Sequence, residues 1–267
     1  MAEQERVESK VPAVTLGFWI IKILATTLGE TGGDTVSMTW LGETTPDAAQ
    51  SPWNGYLVGS AIFLTIFVVL AAWQIRTRRF HPFLYWATII ASTTAGTTMA
   101  DFATRSLGIG YTGGSALLFA LVLASLAAWK TTTGSISVET VRTPRAEAFY
   151  WLTITFSQTL GTALGDWAAD TGGLGYGGGA LLFGAALVVI AGLWFWTSAN
   201  RVALFWAAFI LTRPLGATVG DFLDKPLDHG GLAFSRPVAS AVLAVAILVL
   251  ILVLPQRAGR HPEKAAA

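Results

Sequence analysis

The chain contains no cysteine, which excludes disulfides, thiolate metal sites and iron–sulfur clusters. Its three histidines, His81, His229 and His261, fall outside the apolar stretches, so an intramembrane haem or zinc site would lack its ligands. Charge is scarce as well: only 12% of residues are charged, and the formal net charge is +1. With no basic stripe and no RNA-binding signature, no nucleic-acid partner is expected. Residues Met1 to Lys10 lack the basic leader and cleavage pattern of a secretory signal, so the first apolar segment is expected to be retained. What abounds is hydrophobicity, at 53% of residues and a mean hydropathy of +0.58. That composition points to a membrane protein of several spans, with the lipid bilayer as its first partner.

Enzymatic signatures are missing too. The run Gly172 to Gly179 has the glycine content of a phosphate loop but no adjoining Lys-Ser/Thr and no preceding strand. The spans hold no Ser-His-Asp set and no His-Glu-x-x-His. An intramembrane aspartyl hydrolase needs only two Asp and leaves others unexplained. The chain is therefore expected not to be an enzyme.

What is present is one phrase, spoken four times. An aromatic-Trp pair is followed ten residues after the Trp by Gly and fifteen residues after it by Asp. The copies are Phe18-Trp19…Gly29…Gly33-Asp34, Tyr85-Trp86…Gly96…Ala100-Asp101, Tyr150-Trp151…Gly161…Gly165-Asp166 and Phe205-Trp206…Gly216…Gly220-Asp221. A carboxylate in a bilayer-length apolar segment is costly and so is a candidate functional group. The glycines and alanines read as close helix packing, and the Trp residues as interfacial anchors.

Spanning helices need about 20 apolar residues. Segments of that kind run over approximately 12–34, 54–74, 82–104, 110–129, 147–168, 177–197, 202–223 and 233–255. The expected architecture is all-α: eight transmembrane helices in a single membrane domain, 1–267, built from four parallel two-helix repeats around a pseudo-four-fold axis. The repeats cover approximately 14–78, 79–134, 146–199 and 200–256, each a hairpin with a Gly-rich connection. A second phrase, Gly-Tyr, opens three of the returning helices at Gly55-Tyr56, Gly110-Tyr111 and Gly175-Tyr176 and is degenerate at Gly231-Leu232. Twelve Lys and Arg residues, Arg6, Arg260 and Lys264 among them, lie in the termini and inter-repeat loops, against Arg105, Lys225 and Arg236 in the connections. Both termini are thus expected on the cytoplasmic side. Each Asp then lies about 22 Å beyond its Trp, toward the outer face.

Residues four apart share a helix face, so positions 3, 7, 11 and 15 after each Trp form a stripe. The stripes read Lys22, Thr26, Glu30, Asp34; Ile89, Thr93, Thr97, Asp101; Ile154, Gln158, Thr162, Asp166; and Phe209, Arg213, Ala217, Asp221. Polar faces of this kind turn from lipid toward a bundle interior or cavity. Glu30, Asp34, Asp101, Asp166 and Asp221 outnumber Lys22 and Arg213, so bound cations or protons are expected to compensate them. Carboxylates with Thr hydroxyls, the Gln158 amide and glycine-exposed carbonyls suit hard cations; Met38 and Met99 nearby rank Mn²⁺ slightly above Mg²⁺. Arg213, followed by Pro214, suits a pairing with Glu30 across the interface between the first and last repeats. Two alternatives stay open: an ion-pair network of Arg213, Glu30 and Lys22 that only holds the bundle shut, and Asp residues that cap helix ends beside the Gly-rich connections.

With Gly/Ala-Asp closing a Trp-led span four times, the chain resembles a bacterial family of small integral membrane proteins of unknown function, labelled membrane-anchored and built from a four-times-repeated unit. That resemblance covers residues 14–255 and implies an inner-membrane, multi-pass protein. Glu30-Thr31-Gly32-Gly33-Asp34-Thr35 is also similar to the Glu-x-Gly-Asp-Lys/Arg-Ser/Thr phrase of manganese and calcium cation/proton exchangers. It has one extra residue between Glu and Asp and no basic residue after Asp. The expected function is transport of a divalent cation, Mn²⁺ favoured, coupled to protons. Glu30, Asp34, Asp101, Asp166 and Asp221 would bind ion or proton, supported by Lys22, Thr26, Thr93, Thr97, Gln158, Thr162 and Arg213. The alternatives are a proton-coupled carrier of a small organic solute, its carboxylate held by Arg213 and Lys22, and a non-transport scaffold or sensor. Four-fold repetition makes a monomer sufficient and leaves a homodimer open.

Overall fold

The structure, a computed structural model, describes residues 9–43 and 54–259. Arg6, Arg260, His261 and Lys264 lie outside the described residues. Eight α-helices carry the fold: α1 (Leu16–Asp34), α2 (Gly55–Arg76), α3 (Pro82–Asp101), α4 (Tyr111–Thr133), α5 (Pro144–Asp166), α6 (Gly175–Trp196), α7 (Arg201–Asp224) and α8 (Arg236–Val253). No β-strand is present among the described residues, only an isolated bridge between Pro12 and Ala258. Local chemistry sets the boundaries. Thr15, Asn54, Thr143 and Asn200 cap α1, α2, α5 and α7 through their side-chain oxygens, and Pro occupies the first turn of α3, α5 and α8. Gly134, in the left-handed region at φ +80°, stops α4.

Five helices, α2, α4, α6, α7 and α8, are long and apolar enough to cross a membrane. The stripe explains why the other three fall short: α1 carries Lys22, Glu30 and Asp34, and α3 and α5 are rich in buried Thr and Ser.

The four motif helices close on one another: α1 packs on α3, α3 on α5, α5 on α7, and α7 back on α1. The glycine ten residues after each Trp makes this possible. A Cβ on Gly29 would strike Thr93, one on Gly96 would meet Gln158, one on Gly161 the Arg213 stem, and one on Gly216 Thr26. Each repeat thus admits the seventh-position residue of the next, and the last admits that of the first. Small residues let backbones approach where lipid gives no hydrophobic drive between helices. The unvarying spacing of the phrase has this contact as its physical reason.

An aromatic layer follows the same order about two turns nearer the N-terminal ends of these helices. Phe18 meets Trp86 at 5.5 Å between centroids, Tyr85 meets Trp151 at 5.9 Å, Tyr150 meets Trp206 at 6.3 Å, and Phe205 meets Trp19 at 5.6 Å. The Tyr85 and Tyr150 hydroxyls hydrogen-bond at 2.6 Å. Trp86, Trp151 and Trp206 are buried, which corrects the reading of these residues as interfacial anchors. They plug one end of the inner ring, each pair adding about 0.5–1.5 kcal/mol beyond its buried area.

The hairpin expectation also changes. α2 lies principally on α3, α4 on α5, α6 on α7, and α8 on α1, so each returning helix covers the next repeat's motif helix rather than its own. The segments before α1 and after α8 meet at the aromatic end: Ala13 N–H donates to the Arg257 carbonyl at 2.9 Å. Beside them Lys10 Nζ pairs with the buried Glu147 at 2.5 Å and donates to the last carbonyls of α2.

Close approach at the ring predicts a sharp contrast. Gly161→Val should cost about 1–3 kcal/mol by overpacking. Gly184→Ala, in a stretch of α6 where a Cβ meets nothing within 4 Å, should stabilise by up to about 1 kcal/mol. Thermal unfolding of the detergent-solubilised protein checks both, and equal effects would contradict the packing account.

Candidate functional site

The stripe residues face the interior of the ring, all buried where they are polar. At the eleventh position the repeats converge on one guanidinium. Arg213 Nη2 pairs with Glu30 Oε2 at 2.9 Å, donates to Thr97 Oγ1 at 2.6 Å, and makes a short contact with Thr162 Oγ1. Thr97 Oγ1 lies 3.3 Å and Thr162 Oγ1 3.4 Å from the same carboxylate oxygen. All four repeats meet here, because Ala217 supplies the fourth eleventh-position side chain without a polar group. Gly220 lets α7 sit against Glu30, where an added Cβ would lie 2.7 Å from the Glu30 Cβ.

One turn further, the four repeat aspartates form two pairs. Lys225 Nζ, from the connection after α7, pairs with Asp34 Oδ2 at 2.7 Å and Asp221 Oδ1 at 2.9 Å. Asp224 lies 4.0 Å from the same ammonium and 3.4 Å from Arg236 Nε. Arg105, after α3, binds Asp101 at 3.0 Å and Asp166 at 3.5 Å. Burial opposes the Lys225 charge, but Asp221, Asp34 and Asp224 outweigh it and hold the ammonium protonated well above the ordinary lysine range.

One carboxylate oxygen each from Glu30, Asp34 and Asp221 lie within 4.8 Å of one another, close enough to hold one metal ion. Met38 Sδ is 3.9 Å from the Lys225 Nζ that pairs with two of them. The cluster is therefore built from repeats one and four, while Asp101 and Asp166 of repeats two and three meet on Arg105. Thr97 and Thr162 reach Glu30. Thr26 bonds the Thr212 carbonyl at 3.1 Å instead, and Thr93 and Gln158 lie one turn nearer the aromatic end. Lys22 joins no ion pair among the described residues; its ammonium sits 4.2 Å from the Phe209 ring centroid. That departs from a network of Arg213, Glu30 and Lys22.

The capping alternative is not realised at Asp34, Asp101 or Asp166. Each stands where α-helix passes directly into a π-helical turn and makes no side-chain cap bond. The turns close through i→i−5 bonds, Leu41 to Val36 and Leu107 to Phe102 at 2.9 Å, and Gly172 to Trp167 at 2.7 Å. Such turns widen a helix and cluster at functional sites. Asp221 lies within α7, which runs on unbroken to Asp224.

Sequence reasoning missed Arg105, Lys225, Asp224 and Arg236. Their charges count toward membrane orientation, but their spacing holds a second signal. Arg105 and Lys225 each stand four residues after a repeat Asp, so one helical turn brings cation to carboxylate. The expected excess of interior acid is thereby largely neutralised from within the chain.

Removing one partner of the Arg213–Glu30 pair leaves a buried charge uncompensated. Arg213→Met should cost about 3–5 kcal/mol, whereas Arg213→Met with Glu30→Gln should recover most of it. A double-mutant cycle on unfolding free energy measures the coupling; additive losses would show that the pair does not act as a unit.

The Trp-to-Asp phrase recurs at residues 17–80, 84–135, 149–200 and 204–257 as four matches to the family model described as Repeat of Unknown Function (DUF347). No curated protein and no solved structure matches the chain. The four matches, covering most of the sequence and each holding the phrase's Trp, its close-packing Gly and its Asp, show that this chain belongs to that repeat family.

Proposed function

We propose that the chain is an eight-span, non-enzymatic carrier in a bacterial inner membrane that moves a divalent cation, Mn²⁺ favoured, in exchange for protons. In this reading α1, α3, α5 and α7 form a pseudo-four-fold core, the outer helices face lipid, and both termini are cytoplasmic. One observation carries the proposal: an ammonium already sits between Asp34 and Asp221, beside Glu30, in a buried three-carboxylate cluster. The Lys225 side chain stands where a cargo cation would sit. A cation entering the cluster would displace it toward Asp224, and Lys225 would return as the cargo leaves. Carboxylate oxygens with one thioether nearby suit Mn²⁺, which accepts harder and softer donors together. Asp101 and Asp166, sharing Arg105, are the pair available to take up protons in exchange.

Access is lopsided, as a carrier in one of its states requires. Arg105 is 31% exposed at the carboxylate end, while the opposite end is closed by buried Trp86, Trp151 and Trp206. Alternating access would part the aromatic layer. The scaffold reading has one observation in its favour, that every repeat Asp already has an internal cation.

Uptake by proteoliposomes across Mn²⁺, Mg²⁺, Ca²⁺ and Co²⁺, with a pH gradient on or off, tests the proposal. Mn²⁺ flux should depend on the gradient and vanish in Asp34→Asn and Asp221→Asn. Lys225→Met removes the resident competitor and should tighten Mn²⁺ binding at least tenfold, about 1.4 kcal/mol. If all four Asp→Asn variants retain wild-type uptake, the transport site is elsewhere and the scaffold reading stands.

A further inference from the structure

The interior between the aromatic layer and the Arg213–Glu30 layer holds buried polar groups without partners, most of them donors. Lys22, Thr93, Gln158 and Arg213, one from each ring helix, are fully buried. Lys22 Nζ, Thr93 Oγ1, both Gln158 amide atoms, and Arg213 Nε and Nη1 have no hydrogen-bond partner. Only Arg213 Nη2 is spent on Glu30 and the two threonines. The two side chains belong to one locality: Lys22 rests on Phe209, one turn before Arg213 on α7. No carboxylate of the described residues pairs with Lys22. Its nearest acidic stripe residue, Glu30, is already bound to Arg213.

A buried unpaired donor costs about 1–3 kcal/mol, and a buried unpaired charge more. Water would satisfy the donors; an anion would in addition hold Lys22 as an ammonium. We propose that this layer is a binding site for a small monovalent anion of about halide size. Lys22 and the free edge of Arg213 would supply charge, Gln158 Nε2 and Thr93 Oγ1 would supply neutral donors, and Glu30 would hold the outer edge of Arg213 away. The site is separate from the Glu30–Asp34–Asp221 cluster, being on the opposite side of the guanidinium, and does not depend on what that cluster carries. It also accounts for a lysine on an inward stripe where two other repeats carry isoleucine.

Thermal unfolding in detergent tests it, starting from gluconate buffer without halide and titrating chloride, bromide, nitrate, formate, acetate and sulfate at constant ionic strength. The midpoint should rise by about 5 °C at a hundredfold excess over Kd for the anions that fit, and not for sulfate. Formate and acetate acting as strongly as chloride would assign the site to the carboxylate of a small solute; halide and nitrate acting alone would assign it to an inorganic ion. Lys22→Met should abolish the shift, and Gln158→Met should weaken the apparent affinity about tenfold. Should Lys22→Met fail to fold, anomalous scattering from crystals grown in bromide decides: a peak between Lys22 Nζ and Arg213 supports the site. Indifference to anion identity, or an unchanged shift in both variants, overturns it.

Discussion

Everything in this molecule depends on how closely four helices approach around a common interior. Gly29, Gly96, Gly161 and Gly216 remove the one atom that would hold neighbouring helices apart, and the space so opened is filled by a side chain from the next repeat. That contact draws Arg213 within reach of Glu30, Thr97 and Thr162 on three other helices. It also brings two pairs of aspartates close enough for each pair to share one cation. Without the glycines the polar groups would lie on separate helices in an apolar medium, each costing free energy with no compensation.

Repetition and its breaches divide the labour. The repeated elements make a frame: glycine contacts, aromatic layer, aspartates. The breaches give it direction. Glu30 exists only in repeat one and Arg213 only in repeat four, so their bond falls at the seam where the ring closes. Lys225 stands at the same seam, making the first-and-fourth side of the acidic end chemically unlike the side held by Arg105. Three repeats widen into π-helical turns after the Asp, whereas the fourth stays α-helical and carries Asp224 and Lys225.

Much of this was legible from residues alone. Helix existence followed from apolar length, and the eight segments fall within a few residues of α1 to α8. The stripe followed from four-residue periodicity, and the Arg213–Glu30 pairing from their uniqueness at opposite ends of the repeat. Three things were not legible, each for a physical reason. The Trp residues suit a membrane interface as well as an aromatic plug, and only packing decides which. Partner choice for α2, α4, α6 and α8 is a matter of tertiary docking that apolar patterning does not encode. The roles of Arg105 and Lys225 were hidden because a cation in a short connection reads first as a solvated charge.

The placement of each outer helix against the following repeat has a consequence for assembly. No two-helix unit covers its own inner helix, so no unit is complete as it leaves the ribosome. α3 receives its cover from the helix just before it in sequence, as do α5 and α7, whereas α1 is covered by α8 from the far side of the repeat array. Ring closure therefore needs α8 to seal α1, with the segments before α1 and after α8 joined at Ala13 and Arg257. The docking of α8 on α1 is thus the counterpart of α2 on α3, α4 on α5 and α6 on α7, made between parts of the chain far apart in sequence.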